Sequence, residues 1–440
     1  VFFNQYHGAR KLALTLPYLV IIFVALQGIL AIPVISYPAI TGIAYYLVNT
    51  AIVLALIAAF YFFRYGGTFM HDNKPEWDTI PAVVKEDPFL SKATVDDLIA
   101  LKMLRRHPMN ETMQKSPEEN LRLVKPFVEA RGGCIDSFDQ VVEAFRHEAK
   151  GKQPSHIFLI VGESYSQPYF DPAFANLHIA DEGKKLMADV HTASIHTALS
   201  AGIISRPSIV SLMLGIFDAG LELNEREAFW QGTVPTSLPL QLRSLGYETN
   251  YWYGGSLANG NFGHFAPACG FDHAYSAIDI CDPKAPRSWV GVYDHIFLNK
   301  AAEMICQRTD DVPQFHFIYT TSNHGPYKMP LHDLGFDGDK IMKVGQDVLD
   351  EKIIPKVLGT FWYSDRAINK FIQDMKQAYP DSLFIVTGDH GFQCSELQHT
   401  SFMKREYTFR ELHSPVLMFH HPELDKASLA ENIIGGHMNI

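Results

Sequence analysis

The chain has 440 residues, 47% apolar and 19% charged, which excludes a disordered or collagen-like polymer and leaves room for one large domain or two ordinary ones. Acidic residues outnumber basic ones 48 to 37, a formal net charge of −11. The first 66 residues hold three basic residues (Arg10, Lys11, Arg64) and no acid, so the other 374 carry 34 positive against 48 negative charges, or −14, which excludes a nucleic-acid binder working through a basic surface.

Two uncharged 21-residue runs come first, residues 12–32 and 43–63. At 1.5 Å per residue each is long enough for a hydrocarbon core of roughly 30 Å. A signal peptide would have one shorter run and a small-residue cleavage site, so residues 1–66 are predicted to be a membrane anchor with two transmembrane helices. Arg10, Lys11 and Arg64 flank the pair, and taken alone the positive-inside rule puts both ends in the cytoplasm.

Residues 67–150 are predicted to be a helical connector. Ser116-Pro117-Glu118-Glu119 has a serine N-cap, proline at the first helical position and a glutamate three on, the signature of a capping box. Ser137-Phe138-Asp139-Gln140 repeats that logic, and Thr94 can cap the helix that includes Leu98, Leu101 and Leu104. From about residue 151 to 440 short apolar runs alternate with amphipathic stretches. Residues 157–161, 315–319, 383–387 and 416–419 are predicted strands, and 364–379 a helix, which points to an α/β domain with a largely parallel sheet. The five cysteines (Cys134, Cys269, Cys281, Cys306, Cys394) contain no C-x-x-C pair, so zinc ribbons and thioredoxin-type sites are excluded. Cys269 and Cys281 are spaced to suit a disulfide around a loop, and the odd total leaves at least one thiol over.

Three of the predicted strands end on chemistry. The first runs into Gly162-Glu163-Ser164, the second into Thr320-Thr321-Ser322-Asn323-His324-Gly325, the third into Gly388-Asp389-His390-Gly391. Open α/β sheets bind ligands beyond the carboxyl ends of their strands, which is where these groups would gather. Glu163, Asp389 and His390 make a mixed oxygen and nitrogen set suited to Zn²⁺ or Mn²⁺. Ser205 stands just ahead of an apolar, helix-like stretch, as a possible N-cap whose hydroxyl could also coordinate the ion and attack phosphorus. Thr197 and Ser200 are competitors for that role.

The Gly162-Glu163-Ser164 loop, the Ser205-x-Pro-Ser stretch and the Asp389-His390-Gly391 turn resemble the alkaline phosphatase/sulfatase superfamily. Tyr253-Gly254-Gly255, Gly270-Phe271-Asp272, the Gly291–Asp294 stretch after Trp289, the stretch from Thr321 to Tyr327, and Tyr363-Ser364-Asp365 resemble one branch of it, the lipoteichoic acid synthase and glucan phosphoglycerol transferase family. The resemblance implies a phosphotransferase of the bacterial cytoplasmic (inner) membrane. Such enzymes move a phosphoglycerol-type or phosphoethanolamine-type head group from a phospholipid donor to a glycan or lipid acceptor. It further implies one divalent ion, Mn²⁺ or Zn²⁺ before Mg²⁺, held by Glu163, Ser205, Asp389 and His390, with Ser205 the nucleophile. His324 would contact the transferred phosphate with Arg206 and Asn323 beside it, and His399 would assist. The catalytic domain would lie on the periplasmic or extracellular side, so a further span should precede Val1, and relatives continue past Ile440.

Three positions depart from the pattern. Serine stands at 205 where the family has threonine. Sulfatases need an arginine four residues after the nucleophile, and here that place is Ile209. The tryptophan and arginine that lipoteichoic acid synthases set against glycerol phosphate align with Gly260 and Phe262. The alternatives are therefore a hydrolase of the same fold, phosphodiesterase or sulfatase, and a catalytically silent relative that binds head groups or a partner.

Overall fold

The computed structural model describes residues 42–64, 116–130, 132–137, 140 and 152–440, apart from 232–233, 235, 309–310, 341–353, 393–396, 399–402, 407 and 429–432. The predicted span 12–32, the Thr94 helix and His399 lie outside the described residues. The chain forms two compact units, Val1–Glu76 and Trp77–Ile440.

In the first unit, α1 (Ile43–Arg64) is a helix of 22 residues, about 33 Å long at 1.5 Å per residue. Its side chains are described only in part, and among the described residues no helix counts as long and apolar enough to cross a membrane. The second unit begins its described part with α2 (Pro117–Glu129). Here the expected capping box is formed: Glu119 N donates to Ser116 Oγ at 3.2 Å, and Ser116 N to Glu119 Oε2 at 3.1 Å. Gln140 Oε1 accepts from the amides of Asp136 and Ser137, a capping contact close to the one its spacing suggests.

A seven-stranded sheet organises the rest. Its strands are β1 (His156–Gly162), β2 (Thr192–Ser194), β4 (Glu248–Tyr253), β5 (His273–Ser276), β6 (Gln314–Tyr319), β7 (Leu383–Gly388) and β8 (Leu417–His420). The order is β2-β8-β7-β1-β6-β4-β5. The five strands from β7 to β5 are parallel, and β8 runs antiparallel to both β7 and β2, so the sheet is mixed and mostly parallel. A separate parallel pair joins β3 (Thr197–Leu199) to β9 (Ile434–Gly436).

Every residue of β1 is buried, because the sheet is covered on both faces. Phe158 and Ile160 face one apolar layer with α3 (Asp181–Ala188), α6 (Asp294–Cys306) and α7 (Ile354–Ala378); Ile157, Leu159 and Val161 face the other with α4 (Ser205–Leu214) and α5 (Phe262–Ala268). Helix α7 starts ten residues before the predicted 364. Gly359 lies inside it because a Cβ there would collide with the rings and methyls of Phe336 and Leu331. Cys269 and Cys281 are both buried free thiols.

Candidate metal centre

Register places the candidate ligands. Gly162 on β1 stands opposite Gly388 on β7, and Val161 opposite Tyr319 on β6, so Glu163, Asp389 and Thr320 leave adjacent strands at one level of the carboxyl edge. The chain then turns sharply. Ser164 takes a left-handed backbone (φ 50°), a conformation that costs a non-glycine residue roughly 1 kcal/mol or more and that clusters at functional sites. Its amide donates to Asp389 Oδ1 at 2.7 Å, and the His390 amide to the same oxygen at 2.9 Å. Glycine flanks the Asp-His pair for a steric reason: a Cβ at Gly388 would strike the Tyr165 backbone, and one at Gly391 the Glu411 carbonyl.

Glu163, Asp389 and His390 are all buried, with one donor atom from each within 4.8 Å of the others. His390 Nδ1 lies 2.7 Å from the Gly391 carbonyl, which accepts its proton and leaves Nε2 facing Glu163 Oε1 at 3.6 Å and Asp389 Oδ2 at 3.5 Å. Tyr319 donates across both acids, 2.7 Å to Glu163 Oε2 and 3.2 Å to Asp389 Oδ2, and its ring stacks on Tyr253. Burial, then the Asp389 charge, pushes the Glu163 carboxyl above the usual range, against the pull of His324, His390 and Tyr319. For His390 burial works downward, but the two carboxylates outweigh it and raise the imidazole. Two buried acids beside one imidazole and one hydroxyl repel each other unless a cation joins them, so the donor set fits a divalent ion.

Ser205 is the first residue of α4, and Ile204 is the cap; the expected N-cap role does not apply. Its hydroxyl donates instead to Glu163 Oε2 at 3.2 Å and lies 3.4 Å from His390 Nε2. Arg206, next along, pairs with Glu225 at 3.5 Å. Asn323 is buried with both ends of its amide engaged, donating to the Glu163 carbonyl at 3.1 Å and accepting from Thr360 at 2.8 Å, so it braces the strand end. His324 is half-buried at the rim, edge-on to the exposed Trp289, whose indole donates to the Gly325 carbonyl at 2.8 Å.

Three contributors were not singled out as site residues from sequence. Tyr319 reads as the last apolar residue of a strand. Asp294 is fully buried and accepts from the amides of Thr321 and Ser322 at 3.0 Å each, fixing the turn that carries His324. His437, after β9, accepts from the Ala201 amide at 3.2 Å through Nδ1 and donates from Nε2 to the Gly388 carbonyl at 2.8 Å. Burial holds its pKa down at about 4, so it stays neutral and ties the loop before Ser205 to the strand that ends on Asp389. The sign available in the sequence was Gly435-Gly436, where β9 passes too close to Ile195 and the Leu199 carbonyl for a side chain.

A family model described as Sulfatase matches residues 155–434. Among solved structures, the lipoteichoic acid synthase LtaP from Listeria monocytogenes is similar at 18% identity and a TM-score of 0.52, over 65% of this chain and 70% of that one. A protein in the alkaline phosphatase superfamily from Vibrio parahaemolyticus is similar at 18% identity and a TM-score of 0.53, over 74% and 73%. The C-terminal periplasmic domain of EcEptC from Escherichia coli is similar at 16% identity and a TM-score of 0.50, over 66% and 80%. At these identities the likeness establishes the fold.

Proposed function

From the premise that the chain belongs to the sulfatase family, we infer that it is a metal-dependent phosphotransferase with Ser205 as nucleophile. It moves a phosphoglycerol-type or phosphoethanolamine-type head group from a phospholipid to a hydroxyl of a glycan or lipid. One observation carries this: the Ser205 hydroxyl lies within hydrogen-bond reach of two candidate ligands, while the place four residues on, where a sulfatase needs arginine, is the buried Ile209. The names of the similar proteins, a lipoteichoic acid synthase and a periplasmic domain, agree with it.

Glu163, Asp389, His390 and Ser205 would hold the ion, Mn²⁺ or Zn²⁺. When bound it supplies Lewis-acid chemistry, easing ionisation of a hydroxyl and offsetting charge on a phosphate oxygen. The helix α4 directs Ser205 Oγ from its first turn towards that place, and the positive end of the helix favours an anionic group there. Oγ forms a bond to phosphorus and the phosphate's bond to the lipid's glycerol oxygen breaks; the proton given up by Oγ ends on the departing alcohol. An acceptor hydroxyl then takes the phosphoryl group from Ser205, and Oγ recovers a proton. Two steps let donor and acceptor use the site in turn. His324 and Arg206 contact the phosphate from the rim. The apolar runs at 12–32 and 43–63 anchor the chain in the cytoplasmic membrane, with the catalytic domain on its outer side.

Intact-mass spectrometry of the full chain, after incubation with phosphatidylglycerol or phosphatidylethanolamine vesicles, tests the proposal. An adduct on Ser205 is expected, its mass naming the head group, together with loss of turnover in Ser205→Ala and substantial turnover in Ser205→Thr. Undiminished turnover in Ser205→Ala would move the nucleophile to Thr197, Ser200 or water. Release of free head group in place of transfer would make the protein a hydrolase.

A further inference from the structure

Large apolar side chains collect on the surface beside the nucleophile. Ile203 and Ile204 immediately precede Ser205 and are 45% and 54% exposed. Leu199 lies on the outer face of β3, whose register sets Thr197 against Ile434, itself 69% exposed. The Ser200 amide donates to the His413 carbonyl at 2.8 Å, and on the His413 ring stacks Phe409, 63% exposed. Phe409, Leu199, Ile434, Ile203 and Ile204 therefore stand on segments tied to one another and leading to Ser205, and together they form an apolar lip beside it. Exposed apolar side chains gathered on linked segments at a site mark an interaction surface.

Position decides the occupant. A protein seated permanently on this lip would cover the approach to Ser205, so what lies there must arrive and leave with the substrate. We propose that the lip holds the acylglycerol part of a bilayer phospholipid while its phosphate is presented to Ser205. This rests on the reading of the chain as a lipid-consuming transferase, and it adds which surface meets the bilayer. The β3/β9 pair and Phe409 then act as a wedge: Leu199, Ile434 and Phe409 enter the acyl region, and the hydroxyl of Ser205 stays at head-group depth.

Two measurements on the full chain test it. In the first, turnover is compared on phosphatidylethanolamine/phosphatidylglycerol vesicles and on a water-soluble p-nitrophenyl phosphodiester. Ile434→Glu and Phe409→Glu are expected to lower the ratio of vesicle to soluble turnover at least tenfold. An unchanged ratio overturns the lip. A parent protein that cleaves the soluble diester but consumes no lipid overturns the transferase reading instead. The second measurement is independent of activity: Ile434→Trp in vesicles of brominated phospholipid should be quenched beyond the parent protein. Val312→Trp, at the opposite edge of the sheet and 44% exposed, should not be. Equal quenching at both positions, or a dimer dispersed by Ile434→Glu, would overturn the lip in favour of general adhesion or a second copy.

Discussion

The two edges of the sheet each bury a histidine, and they use it in opposite ways. At the amino half, His316 on β6 accepts from Trp252 Nε1 through Nδ1 at 3.2 Å and donates from Nε2 to His156 Nδ1, also at 3.2 Å. Its ring lies nearly parallel to those of Phe158 and His156, with centroids 4.9 and 5.4 Å away. Burial, with His156 and the Arg308 charge, pushes it well below the usual histidine range, so it is a neutral filler. At the carboxyl edge His390 meets two carboxylates and is pushed up. Both side chains are buried in one domain; the charges facing them decide which can serve as a ligand.

Removing a charge from the carboxyl edge should break this contrast hardest. Asp389→Asn takes one of the two acids facing His390, and affinity for Mn²⁺ or Zn²⁺, read by isothermal titration, should fall by at least ~100-fold. His324→Ala should leave that affinity within a few-fold but reduce turnover by roughly 10²-fold, the usual cost of one donor to a reacting oxyanion. If turnover is untouched while metal stays bound, His324 has no phosphate contact. At the other edge, His316→Phe keeps the stacking but strands the Trp252 N–H, a buried donor whose loss of partner costs about 1–3 kcal/mol. The melting temperature should drop by several degrees with metal affinity unchanged; a metal effect would mean that the two edges are coupled.

The smallest effect is on pH, where the edges pull in opposite directions. Glu163 and His390 are both raised, so their contribution is full below about 4.3 and 6.5 respectively and is lost as pH rises through the raised values. Asp365, buried and raised to about 7, adds to the same slope between about 3.9 and 7. His316 is depressed, so its contribution is full above about 6.5 and lost as pH falls towards its folded value. Melting of the chelated protein should therefore peak in the middle range, and added Mn²⁺ or Zn²⁺ should raise stability more at pH 8 than at pH 5.5. Equal gains at both values would remove the carboxylate cluster as the source.

This asymmetry also explains what could be read from residues alone. The strands of the candidate ligands were legible because β1 and β7 are mainly aliphatic runs that stop at Glu163 and Asp389, and β6 carries Phe315, Phe317, Ile318 and Tyr319 up to Thr320. Strand β4 was not, because Thr249-Asn250-Tyr251-Trp252-Tyr253 is aromatic and polar, and its place in the core depends on the rings of Phe262, Phe271 and Tyr319 around it. The three-residue strands β2, β3 and β9 carry too few positions for a period to appear. Tyr319 and His437 escaped for a different reason: each gains its role from partners more than forty residues away, which no local pattern records.

The bond from Ala201 to His437 spans 236 residues. A ribosome adding roughly 5–20 residues per second needs on the order of 10–50 s to travel from Ser205 to His437. Throughout that time the loop before Ser205 lacks both β9 and the imidazole that fastens it to the Asp389 strand. Until Asp389 and His390 are also made Ser205 has only Glu163 of the three beside it, and a chain cut before Asp389 leaves its hydroxyl without the other two groups. A delayed clasp of this kind completes the centre only when the last strand of the domain has been made.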